Sequence, residues 1–194
     1  MDKFSKAQKV QKSQPQEEEY AYDGDYLKIK KKDENEWVEE KDMVVMLPYI
    51  KDEGVILLRY EPIPPFQDRN KGTKLRNKTH YITSICGGIE EGETPIHALR
   101  RELHEEAGVV LSSLYPIEIS GPYFVSKGSS SRYYTCILEL NYNDYRMSQA
   151  IGDGSEQERR SKTIRVSLGD IDEIRVNDLV TQYLLTELKK EYNI

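Results

Sequence analysis

The chain has 194 residues, 37% of them hydrophobic and 32% charged, which is enough for one main domain with a substantial core. Its net charge of -6 argues against a general affinity for nucleic acid, although a local basic patch can still contact a phosphate. No stretch has the apolar core of a signal peptide or the roughly 18 apolar residues of a membrane span. A cytoplasmic protein without membrane contact is therefore expected.

The N-terminal part predicts a tail followed by a small β arm. Residues 1–19 are polar and cannot bury an apolar face, so this tail is expected to be disordered. Residues 20–42 alternate β-prone runs with turn residues, which predicts an antiparallel arm whose large side chains include Tyr26 and Trp37. The main domain is assigned to residues 43–194.

The main domain combines several predicted strands with two helices. The runs "MVVMLPYI" and "GVILLRY" flank "KDEG", which predicts a hairpin, and a basic surface loop at residues 66–80 leads into the strand "YITSIC". Further strands are predicted at "IEISGPYFVS", "RYYTCILEL" and "TIRVSL". The segment "NDLVTQYLLTELKKEY" predicts an amphipathic helix. Its inward residues are predicted to be Leu179, Tyr183, Leu184 and Leu188. This mixture favours the α/β class, with a mixed sheet between helical layers.

The run from Thr94 to Gly108 predicts a bounded helix that carries an acidic stripe. Thr94 is a suitable N-cap, Pro follows it, and Gly108 is a favoured C-terminal residue. At about 100° per residue, Glu102, Glu105 and Glu106 share one face. The apolar arc is predicted to contain Ile96, Leu99, Leu103 and Ala107. Because like charges at this spacing repel, the stripe is either a solvated face or a site for a hard divalent cation.

The residues around the stripe form a longer pattern. Gly87 is followed after five residues by Glu93, and after seven more by "RELHEEAGV". This is G-x5-E-x7-R-E-U-x-E-E-x-G-U, and it resembles the signature of the Nudix hydrolase family. The resemblance implies an α/β/α sandwich and a pyrophosphatase that cleaves a nucleoside diphosphate linked to another group, through attack of a metal-activated water on phosphorus.

The resemblance also implies roles for individual residues. The implied ligands of a Mg²⁺ or Mn²⁺ ion are Glu102, Glu105, Glu106 and the backbone carbonyl of Cys86. Glu105 is also an implied catalytic residue; Arg101, four residues before it, would orient a glutamate, and Glu93 would hold the loop.

Beyond the signature, the order of parts resembles the ADP-ribose pyrophosphatase branch of that family, with an N-terminal β arm, a hairpin and a late acidic loop. In that branch the arm supports a homodimer, and one of its aromatics can stack on adenine. Tyr26 and Trp37 are therefore candidates, against the alternative that they only pack. In the late loop, "GDGSEQERRSKTIRV", Glu156 is the first candidate to help activate the water and Glu158 the second, ordinary loop charges being the alternative.

Three segments depart from that branch, one of them being "SKGSSSRYY", which lacks the glutamate expected near its Gly-Ser turn. This chain has "RYEPIPPF" in place of a Q-Y-R-like segment, with Arg59 as its candidate substrate-binding residue, and "TSICG" in place of E-x-P-A-G. The expected function is cleavage of ADP-ribose or another nucleotide sugar. The alternatives are a nucleoside triphosphate or oxidised-nucleotide pyrophosphohydrolase and a non-catalytic ligand-sensing module. Such modules often lack signature glutamates, whereas here all are present, which favours catalysis.

Overall fold

The computed structural model describes residues 19–24, 28–62, 80–152, 159–176 and 178–193. Five sequence predictions lie wholly or mainly outside these residues: the N-terminal tail, Tyr26, the basic loop, Glu156 and Glu158. The chain divides into two compact units. The first contains the N-terminal segment up to Glu40 together with Ser126–Ser130, and the second contains Lys41–Val125 and the chain from Ser131 onward.

The first unit is built on a three-stranded antiparallel sheet of β1 (Glu19–Asp23), β2 (Lys28–Lys32) and β3 (Asn35–Glu39). Glu39 links all three strands, because it accepts a hydrogen bond from the Tyr20 hydroxyl at 2.8 Å and forms an ion pair with Lys30 at 2.6 Å. The predicted small N-terminal antiparallel sheet is confirmed.

The second unit contains a mixed sheet with seven strands in the described part of the chain. The strands of this unit are β4 (Met43–Ile50), β5 (Val55–Pro62), β6 (His80–Thr83), β7 (Ile85–Gly88), β8 (Val109–Leu111), β9 (Ser120–Phe124), β10 (Arg132–Leu140), β11 (Tyr145–Met147) and β12 (Lys162–Ser167). The sheet order is β12-β5-β4-β10-β9; β6 also pairs with β5, and β7 with β4. Among the strand pairs of this sheet that the structure describes, β4 with β10 is parallel and the others are antiparallel. Strands β8 and β11 form a separate ribbon.

Two helices, α1 (Pro95–Ala107) and α2 (Leu179–Tyr192), cover opposite faces of this sheet. Strand β4 shows the arrangement, because successive side chains of a strand point to opposite faces. Val44 and Met46 pack in the cluster with α1, whereas Val45 and Leu47 pack in the cluster with α2. The predicted α/β/α sandwich is confirmed.

Helix α1 begins and ends where the sequence predicts. The Thr94 side chain accepts a hydrogen bond from the His97 N–H, and Gly108 ends the helix at φ 65. This left-handed conformation favours glycine, and a Cβ at Gly108 would also overlap the Ser148 carbonyl. No helix in the described ranges combines the length and apolar character needed to cross a membrane.

The buried stripes of both helices differ from the prediction at their first turns. In α1, Ile96 is 42% exposed while Ala98 is buried, and in α2, Leu179 is 78% exposed. The α2 stripe instead contains Thr181, Leu184, Leu185 and Leu188, with Tyr183 exposed. Thr181 docks the first turn through its hydroxyl, which accepts from the Ser84 N–H at 2.7 Å. A polar contact with the residue between β6 and β7 thus holds the first turn of the helix.

Replacing Leu103 with alanine is expected to lower the free energy of unfolding by about 2–5 kcal/mol, because it leaves a cavity in the core. Leu103 is fully buried on α1, whereas Ile96 on the same helix is largely exposed. Chemical denaturation of the two alanine variants compares these positions. An Ile96→Ala loss as large as that of Leu103→Ala would contradict the observed face.

Candidate active site

Arg101 is the centre of the hydrogen-bond network on the acidic face of α1. Its Nε and Nη2 donate to the two carboxylate oxygens of Glu93 at 3.1 and 3.0 Å. Its Nη1 donates to Glu102 at 2.6 Å and to Glu105 at 3.1 Å, and Nη2 also donates to the Gly88 carbonyl at 2.8 Å. These bonds use all five N–H groups of the guanidinium. The hydrogen bond to Glu93 is the main reason that the pKa of Arg101 is raised.

Glu93 joins this network to the turn that precedes the helix. One of its oxygens accepts from the Glu90 N–H at 3.0 Å, and its own N–H donates to the Glu90 carbonyl at 3.0 Å. The hydrogen bond from Arg101 lowers the pKa of the Glu93 carboxyl, which keeps it ionised. Glu93 thus contacts both Arg101 and the turn, and its loop-holding role stays a prediction.

Glu102 lies against the backbone of Gly87 in β7. A Cβ added at Gly87 would overlap the Glu102 carboxylate, so this position has room only for glycine while the carboxylate stays in place. Burial raises the pKa of Glu102, and the hydrogen bond from Arg101 opposes that rise. The first glycine of the signature therefore forms a backbone cradle for a candidate metal ligand.

Glu106 faces the sheet at the end of the same stripe. One of its carboxylate oxygens accepts from the Cys86 N–H at 3.1 Å, and the other lies 3.5 Å from Arg59 Nε. Burial raises the pKa of Glu106 to about 8, although the charge of Arg59 opposes the rise. The structure thus brings Glu106 together with the backbone of Cys86, the residue whose carbonyl is a candidate ligand.

Arg59 lies beneath the C-terminal end of α1. Its side chain is 4% exposed, and its Nη1 donates to the Glu106 carbonyl at 3.1 Å. The Thr163 hydroxyl donates to the same carbonyl at 2.7 Å, and Glu61 lies 3.5 Å from Arg59 Nε. The guanidinium is thus enclosed among protein acceptors, and its predicted contact with substrate stays a prediction.

Sequence reasoning missed Glu61 and Thr163. The sequence does contain a pattern that indicates Glu61. Leu57, Arg59 and Glu61 occupy every second position of a strand and so share one face, and Leu57 on that face belongs to the core. Two opposite charges continuing a core-facing row predict a buried pair. Thr163 had no such signal, because its contact depends on the pairing of β12 with β5.

Trp37, Tyr26 and Glu156 are the remaining candidates from the sequence. Trp37 is half-buried in the first unit, where it pairs with Lys30 across β2 and β3. Tyr26 and Glu156 lie outside the described residues, so their predicted roles stay predictions.

The donor set of the acidic face fits a hard divalent cation. Glu102, Glu105 and Glu106 offer only carboxylate oxygens, and the Gly87 backbone leaves room for the first of them. No group of three His, Cys, Asp or Glu side chains in the described ranges stands ready to hold a metal. One carboxylate oxygen of Glu102 and one of Glu105 accept hydrogen bonds from Arg101.

The comparison with solved structures places the fold. An ADP compounds hydrolase is 16% identical with a TM-score of 0.59, over 93% of this chain and 98% of that chain. A MutT structure, from work on Aliivibrio salmonicida and Vibrio cholerae, is 17% identical with a TM-score of 0.48, over 76% of this chain and 98% of that chain. The first likeness concerns the fold alone. No curated protein matches the chain.

The chain thus combines an α/β/α sandwich with an acidic helix packed against the glycine backbone of β7. The sequence model of the NUDIX domain matches residues 41–160, which is more than half of the chain. The chain belongs to the Nudix family and is an enzyme of its pyrophosphatase class. The family prediction from the signature is confirmed.

The Arg101→Lys variant is expected to lose turnover by about 10–100-fold, because a lysine ammonium cannot hold three glutamates and a carbonyl in the fork geometry of arginine. Steady-state kinetics measure this effect. Arg100→Lys is the matched control, since Arg100 on the same helix bonds the carbonyls of Ser112 and Tyr115 instead. Equal losses in both variants would contradict the role of Arg101.

Proposed function

We propose that this enzyme is a divalent-metal-dependent pyrophosphohydrolase that cleaves a nucleoside diphosphate derivative, with ADP-ribose or another nucleotide sugar as its substrate. The acidic stripe seated against the Gly87 backbone carries the proposal. Partly buried carboxylates that contact few positively charged side chains raise the free energy of the folded protein. Further positive charge would compensate this cost. A substrate with two linked phosphates adds negative charge, which makes that compensation more necessary.

The residues of the chain have separate tasks in this proposal. Glu102, Glu105 and Glu106, with the Cys86 carbonyl, would hold Mg²⁺ or Mn²⁺, and the ion would neutralise the pyrophosphate and activate a water. Arg101 holds the carboxylates in position, and Glu93 holds the loop. Water attacks one phosphorus, the bond to the bridging oxygen breaks, and two phosphate monoesters result.

The choice of substrate is supported by the order of parts. A three-stranded N-terminal sheet precedes the β4–β5 hairpin and the signature helix, as in the ADP-ribose pyrophosphatase branch that the sequence resembles. A protein of similar fold is an ADP compounds hydrolase. The departures at "RYEPIPPF" and "TSICG" are compatible with a nucleotide sugar other than ADP-ribose.

A turnover screen tests the proposal. The full chain is freed of metal with a chelator and assayed with Mg²⁺ or Mn²⁺ against ADP-ribose, other nucleotide sugars, dinucleoside polyphosphates, NADH and nucleoside triphosphates, with phosphate read after added phosphatase. We expect metal-dependent release from a nucleotide sugar. Preferential cleavage of triphosphates would contradict the substrate class, and turnover unaffected by the chelator would contradict the metal.

The N-terminal sheet suggests a second part of the proposal, a homodimer formed through this arm. Its support is the resemblance in the order of parts, in which a separate small sheet precedes the main domain. Light scattering of the full chain and of a variant lacking residues 1–40 tests it. A dimer in the full chain and a monomer in the shortened one are expected; a monomeric full chain would contradict it.

A further inference from the structure

Arg59 contacts Glu106 at two points, and both contacts bear on how that carboxylate is presented. The Nη1 group donates to the backbone carbonyl of Glu106 at 3.1 Å, and Nε lies 3.5 Å from its carboxylate oxygen Oε1. The other oxygen, Oε2, accepts from the Cys86 N–H. A glutamate side chain is flexible, yet this one has contacts at its own backbone carbonyl and at both carboxylate oxygens, the contact of Oε1 being an ion pair rather than a hydrogen bond.

The contacts are enclosed, which makes their geometry strict. The side chains of Arg59, Glu61 and Glu106 are 4%, 9% and 11% exposed. Water is therefore largely excluded from the pair, and a planar guanidinium fixes the directions of its hydrogen bonds. Arg59 also lies on β5, a central strand of the sheet, so its position is rigid.

Glu61 contacts the same guanidinium nitrogen as the Glu106 carboxylate. Its Oε1 lies 3.5 Å from Arg59 Nε, and its Oε2 accepts from the Tyr81 hydroxyl at 3.2 Å. A lone arginine beside Glu106 would oppose a cation bound to that carboxylate. The Glu61 charge cancels the arginine charge, so orientation is retained without the electrostatic repulsion.

From this geometry we infer that Arg59 and Glu61 form a positioning pair that orients Glu106 toward a divalent cation while leaving the charge of Glu106 available to the cation. The inference rests on the proposed metal-dependent function. It assigns Arg59 a task on the protein side of the metal site, where it acts through Glu106 rather than by contact with substrate.

Two variants separate orientation from charge. Arg59→Lys keeps the positive charge but removes the fork that reaches both Glu106 and Glu61. Glu61→Gln keeps the shape but leaves the Arg59 charge uncancelled. Arg132→Lys is the control. Arg132 lies on another strand, β10, and two of its guanidinium nitrogens donate to Asp42.

The primary readout is Mn²⁺ binding to the metal-free protein without substrate, measured by electron paramagnetic resonance of the free ion. Arg59→Lys is expected to raise the Mn²⁺ Kd by about 10–100-fold, and its kcat to fall with partial rescue at high Mn²⁺. Glu61→Gln is expected to raise the Kd about tenfold although it removes no contact to Glu106. Arg132→Lys is expected to bind Mn²⁺ like the wild type. The melting temperature of every variant is recorded to check that it is folded.

Each outcome decides the inference. Unchanged Mn²⁺ affinity in Arg59→Lys and Glu61→Gln, in a wild type that binds Mn²⁺ and turns over substrate, would overturn the positioning pair and leave the proposed function intact. A wild type that binds no Mn²⁺ would overturn both. If Arg59→Lys does not fold, Glu61→Gln still decides, because a purely structural role predicts an unchanged Kd in that variant.

Discussion

The Glu105→Gln variant is expected to turn over substrate about a thousandfold more slowly than the wild type while remaining folded. Glutamine keeps the size of the side chain but removes the charge, and the electrostatic stabilisation from a bound cation is worth several kcal/mol, each 1.4 kcal/mol being a factor of about ten. The Glu105 carboxylate accepts a hydrogen bond from Arg101 Nη1 at 3.1 Å. Its loss is expected to cost about 1 kcal/mol or less of stability.

The kinetic constants and the melting temperature of Glu105→Gln are measured together, so that a loss of turnover is not confused with a loss of fold. Glu187→Gln is the matched control, because Glu187 is a helical glutamate paired with Lys190 on α2. The control is expected to retain wild-type turnover. Unchanged turnover in Glu105→Gln would remove Glu105 from the proposed ligands.

The Gly87→Ala variant is expected to lose turnover by about a hundredfold or more without losing a single carboxylate. The added Cβ would overlap the Glu102 carboxylate, which is the far end of a flexible side chain. The chain can therefore fold by turning Glu102 aside, at a stability cost of about 1–3 kcal/mol. Turning it aside moves a proposed ligand out of place, and a misplacement of about 1 Å can cost a hundredfold in rate.

The neighbouring glycine provides the comparison for this prediction. A Cβ at Gly88 would come no closer than 3.3 Å to the side chain of Lys41, which can move away. Gly88→Ala is expected to keep most of its turnover and its Mn²⁺ affinity, whereas Gly87→Ala is expected to lose both. Equal kinetics for the two variants would show that the Gly87 cradle does not matter.

The local features of the fold and of the acidic stripe could be predicted from the sequence because they depend on neighbours along the chain. Helix α1 begins after Thr94 and ends before Gly108 because of interactions within one helical turn. The hairpin of β4 and β5 follows from two apolar runs around a turn, and the shared face of Glu102, Glu105 and Glu106 follows from the helical period. The family signature combines such local spacings, so it too was visible in the sequence.

Contacts between distant segments could not be predicted in this way. The helical period places Ile96 and Leu179 on the apolar faces of their helices, yet both side chains are exposed. The way each helix docks on the sheet decides which residues of its apolar face are buried. The Thr181 hydroxyl holds the first turn of α2 by accepting from the Ser84 N–H, a residue 97 positions away in the chain.

The sequence by itself therefore determined the family, the α/β class and the three carboxylates that lie on one face of a helix. Only the tertiary structure decided what surrounds those carboxylates. Arg59 and Glu106 are 47 residues apart, and the packing of α1 on the sheet brings them together in a largely buried space. In such a space a charge must find a partner, and the identity of that partner depends on strand register and helix position, which no local pattern contains.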